Sequence, residues 1–206
     1  MGNSAIAEER RAQIIEAAIR ILLQEGIVEA TTRKITAEAG VNVATLNYYF
    51  GGKDKLLMAV LEKVLRETET VIWSSVRTDQ GLRTTLESYF QVIWAHVEAT
   101  PELQLIQYEL SLYAIRHPES AWLAKWQYEW YCRGAEAVFR KGSATGNEVS
   151  VIPLADLASF AVAGVDGLLL QFLADHDTTR AKSGLDRLIT ASLALALGHD
   201  PSKQVP

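Results

Sequence analysis

The stretch TTRKITAEAGVNVATLNYYFGGKDKL, residues 31–56, constrains the fold of this chain more than any other. Its apolar residues keep helical rather than alternating spacing, and its glycines fall between the periods as punctuation. Thr31 or Thr32 can cap a short helix that turns Ile35 and Ala39 inward and stops at Gly40. Val41-Asn42 is the turn, and a second short helix spans about 43–49 until Gly51-Gly52 break it. Upstream, Ile14, Ala18, Ile21 and Leu22 recur at helical spacing over residues 8–25, and Gly26 closes that helix. Two short helices about a glycine-bearing turn, braced by a third, form a helix-turn-helix.

The remaining sequence repeats one theme, amphipathic helices with brief joints. The spacing predicts a long fourth helix over 53–76, then helices over about 80–98, 101–116, 118–141, 154–174 and 180–197, nine in all. Asp79 is placed to cap the fifth, and Pro101, Pro118 and Pro153 open later ones, where a missing amide costs nothing. The polar run GSATGNEVS, 142–150, is a loop, and DPSKQVP at the end reads as a frayed tail. With 49% apolar residues and only 5 prolines and 13 glycines in 206, the chain can bury a sizeable core. The expected class is all-α, with a three-helix domain over 1–52 and a larger helical domain over 53–206. Because their boundary lies at the start of the fourth helix, a rod and not a flexible linker joins them.

Charge places any nucleic-acid partner. Residues 1–66 hold nine Lys/Arg against eight Asp/Glu, and the rest hold eleven against seventeen, for a net −5. Polyanion binding therefore belongs to the N-terminal part. The single cysteine, Cys132, and four scattered histidines offer neither an internal disulfide nor zinc spacing, which fits a reducing cytoplasm. Residues 1–11 carry Glu8 and Glu9 and no apolar run, unlike a signal peptide. Residues 154–174 are the most apolar segment, but Asp156, Asp166 and two glycines argue against a membrane span.

In a helix-turn-helix the second helix enters the major groove with its N-terminal residues at base edges. That assigns Val43, Ala44 and Thr45 to the bases, where small side chains let the helix sit deep and methyls can meet thymine methyls. Leu46 and Phe50, four apart, point into the core. Asn47, Tyr48 and Tyr49 lie on the flanks, within reach of phosphate oxygens. Lys53, with the free amides of the fourth helix, forms an anion site. Arg33 can reach a guanine edge or a phosphate.

These residues resemble the DNA-binding domain of the TetR (tetracycline-repressor-like) family. "TTRKITAEAGV", "TLNYYF" and "GGKDKL" match that family's run of Thr, Arg, Ala-Gly-Val, Thr-Leu-Tyr-x-Tyr-Phe and Lys-Glu-x-Leu. "IIEAAIRILLQEG" resembles its first helix and closing glycine, so the likeness covers about 10–58. The resemblance implies base contacts at Val43, Ala44, Thr45 and Arg33, and phosphate contacts at Thr32, Tyr48, Tyr49 and Lys53. Asn47 stands where the family usually has a phosphate-binding tyrosine. It is shorter, and a base edge is its alternative partner. Gly52, Asn42 and Thr36 are further departures from the family's residues.

The resemblance also implies a ligand-binding, dimerising C-terminal domain, with the last two long helices pairing across a two-fold axis. Residues 154–174 are apolar nearly all round, which requires burial on two sides. Gly164 and Gly167 allow close helix approach, and 180–197 carries Leu185, Leu188, Ile189, Leu193 and Leu197 on one stripe. A dimer suits a palindromic operator. Aromatics crowd the middle of the chain, and Trp94, Tyr108, Trp126, Trp130 with Leu112 and Leu170 are candidates to line a pocket for an apolar or aromatic effector. Asp166, inside an apolar helix, is the polar candidate there, since a buried carboxylate needs a partner: Arg116, His117 or a ligand amine or hydroxyl, the alternative being a structural salt bridge or helix-end hydrogen bond. Asp175-His176-Asp177 lies in a joint between helices and reads as a solvated turn, not a metal site. No paired catalytic carboxylates, phosphate loop, nucleophile elbow or cofactor motif appears. The expected function is therefore a cytoplasmic, homodimeric, ligand-responsive transcriptional regulator, a repressor of operator DNA. The alternative is an all-helical small-molecule binder or enzyme whose N-terminal helices are only structural.

Overall fold

A computed structural model describes residues 2–198, with side chains from residue 5 onward. The C-terminal run read as a frayed tail lies outside the described residues. Among the described residues there are nine helices and no strand: α1 Gly2–Glu29, α2 Thr32–Glu38, α3 Val43–Phe50, α4 Lys53–Ser75, α5 Gly81–Ala99, α6 Pro101–Arg116, α7 Ala121–Ser143, α8 Leu154–Asp175 and α9 Thr178–Leu197. The all-α expectation and the helix order hold.

Local chemistry sets most of the ends. Gly26 breaks α1 at φ 73°, and a last short turn follows to Glu29. The Thr31 hydroxyl caps α2 by accepting the Lys34 N–H, and Asn42 caps α3 by accepting the Thr45 N–H at 2.8 Å. Gly51, left-handed at φ 70°, ends α3. Asp177 caps α9 through the Arg180 N–H.

Two ends depart from expectation. Asp79 does not cap α5; Gln80 stands at the cap position without a side-chain bond. The first-turn amides are satisfied from afar, Gly81 N–H by Thr145 Oγ1 and Arg83 N–H by Glu148 Oε2 at 2.7 Å. The 142–150 loop thus serves as the cap of a helix more than sixty residues upstream. Pro118 opens only a turn, and α7 begins at Ala121.

The chain packs as two compact units, each built from two stretches. The first comprises residues 1–67 and 102–127, so α6 and the start of α7 pack with the N-terminal helices. Its core includes Ile14, Leu22, Ile35, Leu46, Phe50, Leu57 and Leu61. The second comprises 68–101 and 128–206, centred on Leu86, Phe90, Phe139, Leu157 and Ala161. By length and composition α8 is the one described helix that could cross a membrane, a test that a core helix of a soluble protein also passes. Here it packs on α9: a Cβ on Gly164 would lie 2.4 Å from Leu188 Cδ1, and one on Gly184 2.5 Å from Leu168 Cδ2. Glycine at both positions is what permits that approach.

Gly142 works the same way against α5. A Cβ there would lie 2.1 Å from Thr85 Oγ1, which is itself held by Gly81 O at 2.8 Å. Gly142→Ala is therefore expected to destabilise by about 1–3 kcal/mol through overpacking, read as a lowered midpoint of thermal unfolding. An unchanged midpoint would show that Thr85 can yield.

Candidate functional site

A small number of side-chain braces from α1 hold α2 and α3. Gln13 of α1 donates to Ala39 O at 2.8 Å, covering the C-terminal carbonyls of α2. Arg11 donates to Tyr49 O at 3.2 Å and stacks its guanidinium 4.5 Å over the Phe50 ring. The turn and the C-terminal end of the helix-turn-helix are thus fixed from α1. Sequence reasoning missed Arg11 and Gln13, because nothing local marks a helix-side cation or amide as a brace for a carbonyl some thirty residues away.

On that frame, Leu46 and Phe50 are buried and Val43, Ala44 and Asn47 are exposed. Tyr48 is 83% exposed and meets half-buried Tyr49 edge-to-face at 5.2 Å. Thr45 is half-buried, and its hydroxyl donates to Asn42 Oδ1 at 3.0 Å, so it is committed to the cap. Thr32 begins α2, and Arg33 beside it is exposed. Of the sequence-predicted set, Arg33, Val43, Ala44, Asn47 and Tyr48 are exposed, and Thr32, Thr45, Tyr49 and Lys53 are half-buried.

Several cations nearby are engaged elsewhere. Lys34 pairs with Glu25 and Glu29, and those hydrogen bonds hold its ammonium pKa above the usual lysine value. Arg20 pairs with Glu38. Lys53 donates to Ile27 O at 3.3 Å, and partial burial lowers its pKa. Arg33 and Lys55 have no ion pair among the described residues, and Lys55 Nζ stands close to Gly51, where a Cβ would be 3.7 Å from it. Lys55 is thus a cation at the end of α3 that the sequence reading did not single out.

The α1–α3 head is tied to α6 within the same unit. Glu109 accepts the Ile27 N–H at 2.9 Å, just past the Gly26 break. One turn further along, Tyr113 Oη donates to Asp54 Oδ1 at 2.6 Å at the start of α4. Burial and the Asp54 carboxylate push the Tyr113 phenol up to about 12, so it remains a donor throughout the physiological range. Deeper in α6, Ser111 Oγ donates to Gln127 Oε1 of α7 at 2.6 Å, with buried Gln104 and Gln107 bonded to each other alongside.

The effector candidates divide between the two units. Tyr108 and Trp126 are half-buried in the first, and Leu112 is 57% exposed on α6. In the second, Trp94 is buried against Phe172 at a ring distance of 5.6 Å, and its indole N–H donates to Glu98. Trp130 is half-buried, and Leu170 is 58% exposed on α8. Asp166 is half-buried on α8 and hydrogen-bonded by the Tyr128 hydroxyl. In the joint after α8, Asp175 pairs with Arg180 and His176 is the left-handed stop of the helix. No group of three potential metal ligands occurs among the described residues.

Comparison with known proteins bears on this surface directly. The family described as "Bacterial regulatory proteins, tetR family" matches residues 14–60, which span the core of α1 through the first turns of α4. The HTH-type nicotine-responsive transcriptional repressor HdnoR of Paenarthrobacter nicotinovorans is 27% identical over 90% of this chain and 94% of its own length. The HTH-type transcriptional regulator BetI of Brucella anthropi is 48% identical, but over 58 residues, 30% of that protein. Among solved structures, the multidrug binding protein EbrR complexed with imidazole is 27% identical and superposes with a TM-score of 0.64 over 87% of this chain and 89% of its own. A TetR transcription regulator from Haloarcula marismortui shares the fold, with a TM-score of 0.73 over 92% of this chain and 97% of its own at 20% identity.

Proposed function

The chain belongs to the TetR family of ligand-responsive, DNA-binding transcriptional regulators, and from that premise we propose that it is a homodimeric repressor released from a palindromic operator by a small aromatic effector. The observation that carries this reading is the α3 surface. Val43, Ala44, Asn47 and Tyr48 are exposed together on a helix whose inner face and both ends are fixed by Leu46, Phe50, Asn42 and Arg11. A helix held so rigidly, with small residues at its N-terminus, suits insertion into a major groove.

In this reading residues 1–52 are the DNA-reading head. Val43, Ala44 and Thr45 face bases, Thr32, Tyr48, Tyr49 and Lys53 face phosphates, and Arg33 faces either. Lys53 must exchange the Ile27 carbonyl for a phosphate, an exchange its desolvation favours. The exposed faces of α8 and α9, with Phe160, Leu170 and Leu195, pair two copies, so that the heads meet half-sites about one helical turn, roughly 34–36 Å, apart. The protein works in the cytoplasm, where the DNA is. The response to nicotine named for its relative over nearly the full length supports an effector with an aromatic ring.

Release follows from how the head is held. Glu109 and Tyr113 fix Ile27 and Asp54 from one face of α6, so a shift of α6 moves α1 and α4 together. In a dimer, a change in head separation loses register with the two half-sites.

The test is a gel shift with DNA flanking the protein's own gene, followed by footprinting. Selective binding with two protected half-sites supports the proposal; equal binding to any DNA, or none, contradicts it. Asn47→Ala gives a finer result. If Asn47 reads a base edge, the substitution changes base preference at one position of each half-site, measured by selection from randomised operators. A uniform weakening across operators would assign it to phosphate instead.

A further inference from the structure

We propose that the outward face of α6 is a self-complementary docking surface, on which α6 of a second copy of this chain lies antiparallel. The proposal goes beyond the regulator reading and does not rest on DNA binding.

On α6, Leu105 is 50% exposed, Leu112 57% and Ile115 59%. Leu105 and Leu112 stand two helical turns apart on one line, and Ile115 follows within a turn. The inner face of the helix is spent on the core, with Ile106, Leu110 and Ala114 buried. Apolar side chains exposed singly are ordinary. Three in succession on the outer face of one helix mark a contact surface.

The charges at its two ends say what covers it. Glu102 precedes Leu105 in the first turn and Arg116 follows Leu112 in the last, and both are exposed. Neither has an ion pair among the described residues. They bracket the leucines almost symmetrically about residue 109. A second α6 laid antiparallel over the first sets each Glu102 against the other copy's Arg116, and each Leu105 against the other's Leu112. The same contacts are then made twice about a two-fold axis, as in an isologous interface. A parallel copy would set like charges together at both ends. Glu109, nearest the axis, accepts the Ile27 N–H, so its carboxylate is engaged within its own copy. Nucleic acid offers Glu102 no partner, and an apolar ligand offers none to either charge.

One helix face buries less than the about 800 Å² per partner of a standard interface. The pairing is therefore weak alone and is expressed between copies already held close, where the effective concentration is high. Its consequence lies in the same helix. Glu109 and Tyr113 hold Ile27 and Asp54, so pairing through α6 ties the N-terminal helices of one copy to those of the other.

The experiment is disulfide trapping of the full-length protein in a Cys132→Ser background, under mild copper-catalysed oxidation, read on a non-reducing gel. Trapping suits a weak contact because the covalent product accumulates. The variant carrying Leu105→Cys with Leu112→Cys is expected to become mostly covalent dimer. Within one copy those positions lie about 10 Å apart along the helix, beyond the roughly 7 Å that a disulfide spans, so no bond within one chain competes. Each single-cysteine variant should trap about fivefold more slowly or worse, because the antiparallel register holds equivalent positions as far apart. Adding Glu102→Arg or Arg116→Glu alone to the double-cysteine variant should slow trapping by about fivefold or more, and adding both, which exchanges the charges, should restore it. If these charges served only the helix termini, the exchanged variant would be the worst of the three. The proposal is overturned if the exchange does not restore trapping, or if either single-cysteine variant traps as fast as the pair, as a parallel contact requires. It is also overturned if no variant traps, which leaves the face to a different protein. The measurement needs no DNA, so its failure leaves the regulator reading standing, and a failed gel shift leaves this pairing standing.

Discussion

Val43→Asp should abolish operator binding, by about 100-fold or more, while leaving the protein folded. Val43 opens α3 and is exposed, so no core contact is lost. A carboxylate in the first turn of a helix is favourable to the free amides there, worth about 0.3–1 kcal/mol. The same carboxylate set against a phosphate-lined groove meets like charge, at several kcal/mol. Fold and function are thereby pushed in opposite directions by one side chain. Thermal unfolding should be unchanged or slightly raised, and anisotropy with operator DNA should show the loss. Wild-type affinity in this variant would remove α3 from the interface, and a lowered unfolding midpoint would mean that Val43 has a packing role.

Phe50→Ala should instead remove function by removing the fold of the head. Phe50 is 4% exposed, at the end of α3, and the Arg11 guanidinium rests on its ring. Truncating a buried phenylalanine costs about 3–5 kcal/mol, and the loss of the cation–π contact adds to it. Against a typical total stability of about 5–15 kcal/mol, that is enough to loosen α3 from α1 and α2. For a chain of this size the unfolding midpoint should fall by about 6–20 °C. DNA binding is lost with it, but ligand binding by the unit containing α8 and α9 should persist, since Phe50 lies outside that unit. A midpoint shift under a few degrees would show that the head does not depend on this ring.

The two variants also mark how far the sequence could be read. The core and punctuation of the head were legible, because they depend on near neighbours. The spacing of Leu46 and Phe50, the Thr31 cap and the glycine stops at positions 26 and 51 each follow from residues within a turn or two. The same holds for Pro101, which opens α6 where expected. What was illegible depends on distant partners. Asp79 looked like a cap, yet Thr145 and Glu148 satisfy the α5 amides from a loop that no local pattern could bring there. Arg11, Gln13 and Glu109 look like ordinary surface residues in sequence, and only the fold sets them against Tyr49 O, Ala39 O and Ile27 N. The packing of α6 with the N-terminal helices was equally invisible, since the Gly51-Gly52 break suggested a boundary of a different kind.

The effector residues show the same limit more sharply. The crowding of aromatics in the middle of the chain marked Trp94 as a candidate, but the fold buries it against Phe172 with its N–H donated to Glu98. For Asp166 the sequence offered Arg116, His117 or a ligand group as partner, whereas the fold sets the Tyr128 hydroxyl beside it. Aromatic composition tells that rings are present; which of them stay half-open beside a polar group depends on tertiary packing.

The central claim is that the α2–α3 surface binds operator DNA selectively. Fluorescence anisotropy of the wild-type protein, with DNA flanking its own gene and with a scrambled duplex of equal composition, at two salt concentrations, tests it most directly. The account predicts tight binding to the native sequence alone, with an affinity that falls steeply as salt rises because phosphate contacts release counterions. Equal affinity for the two duplexes, or none for either, would contradict it.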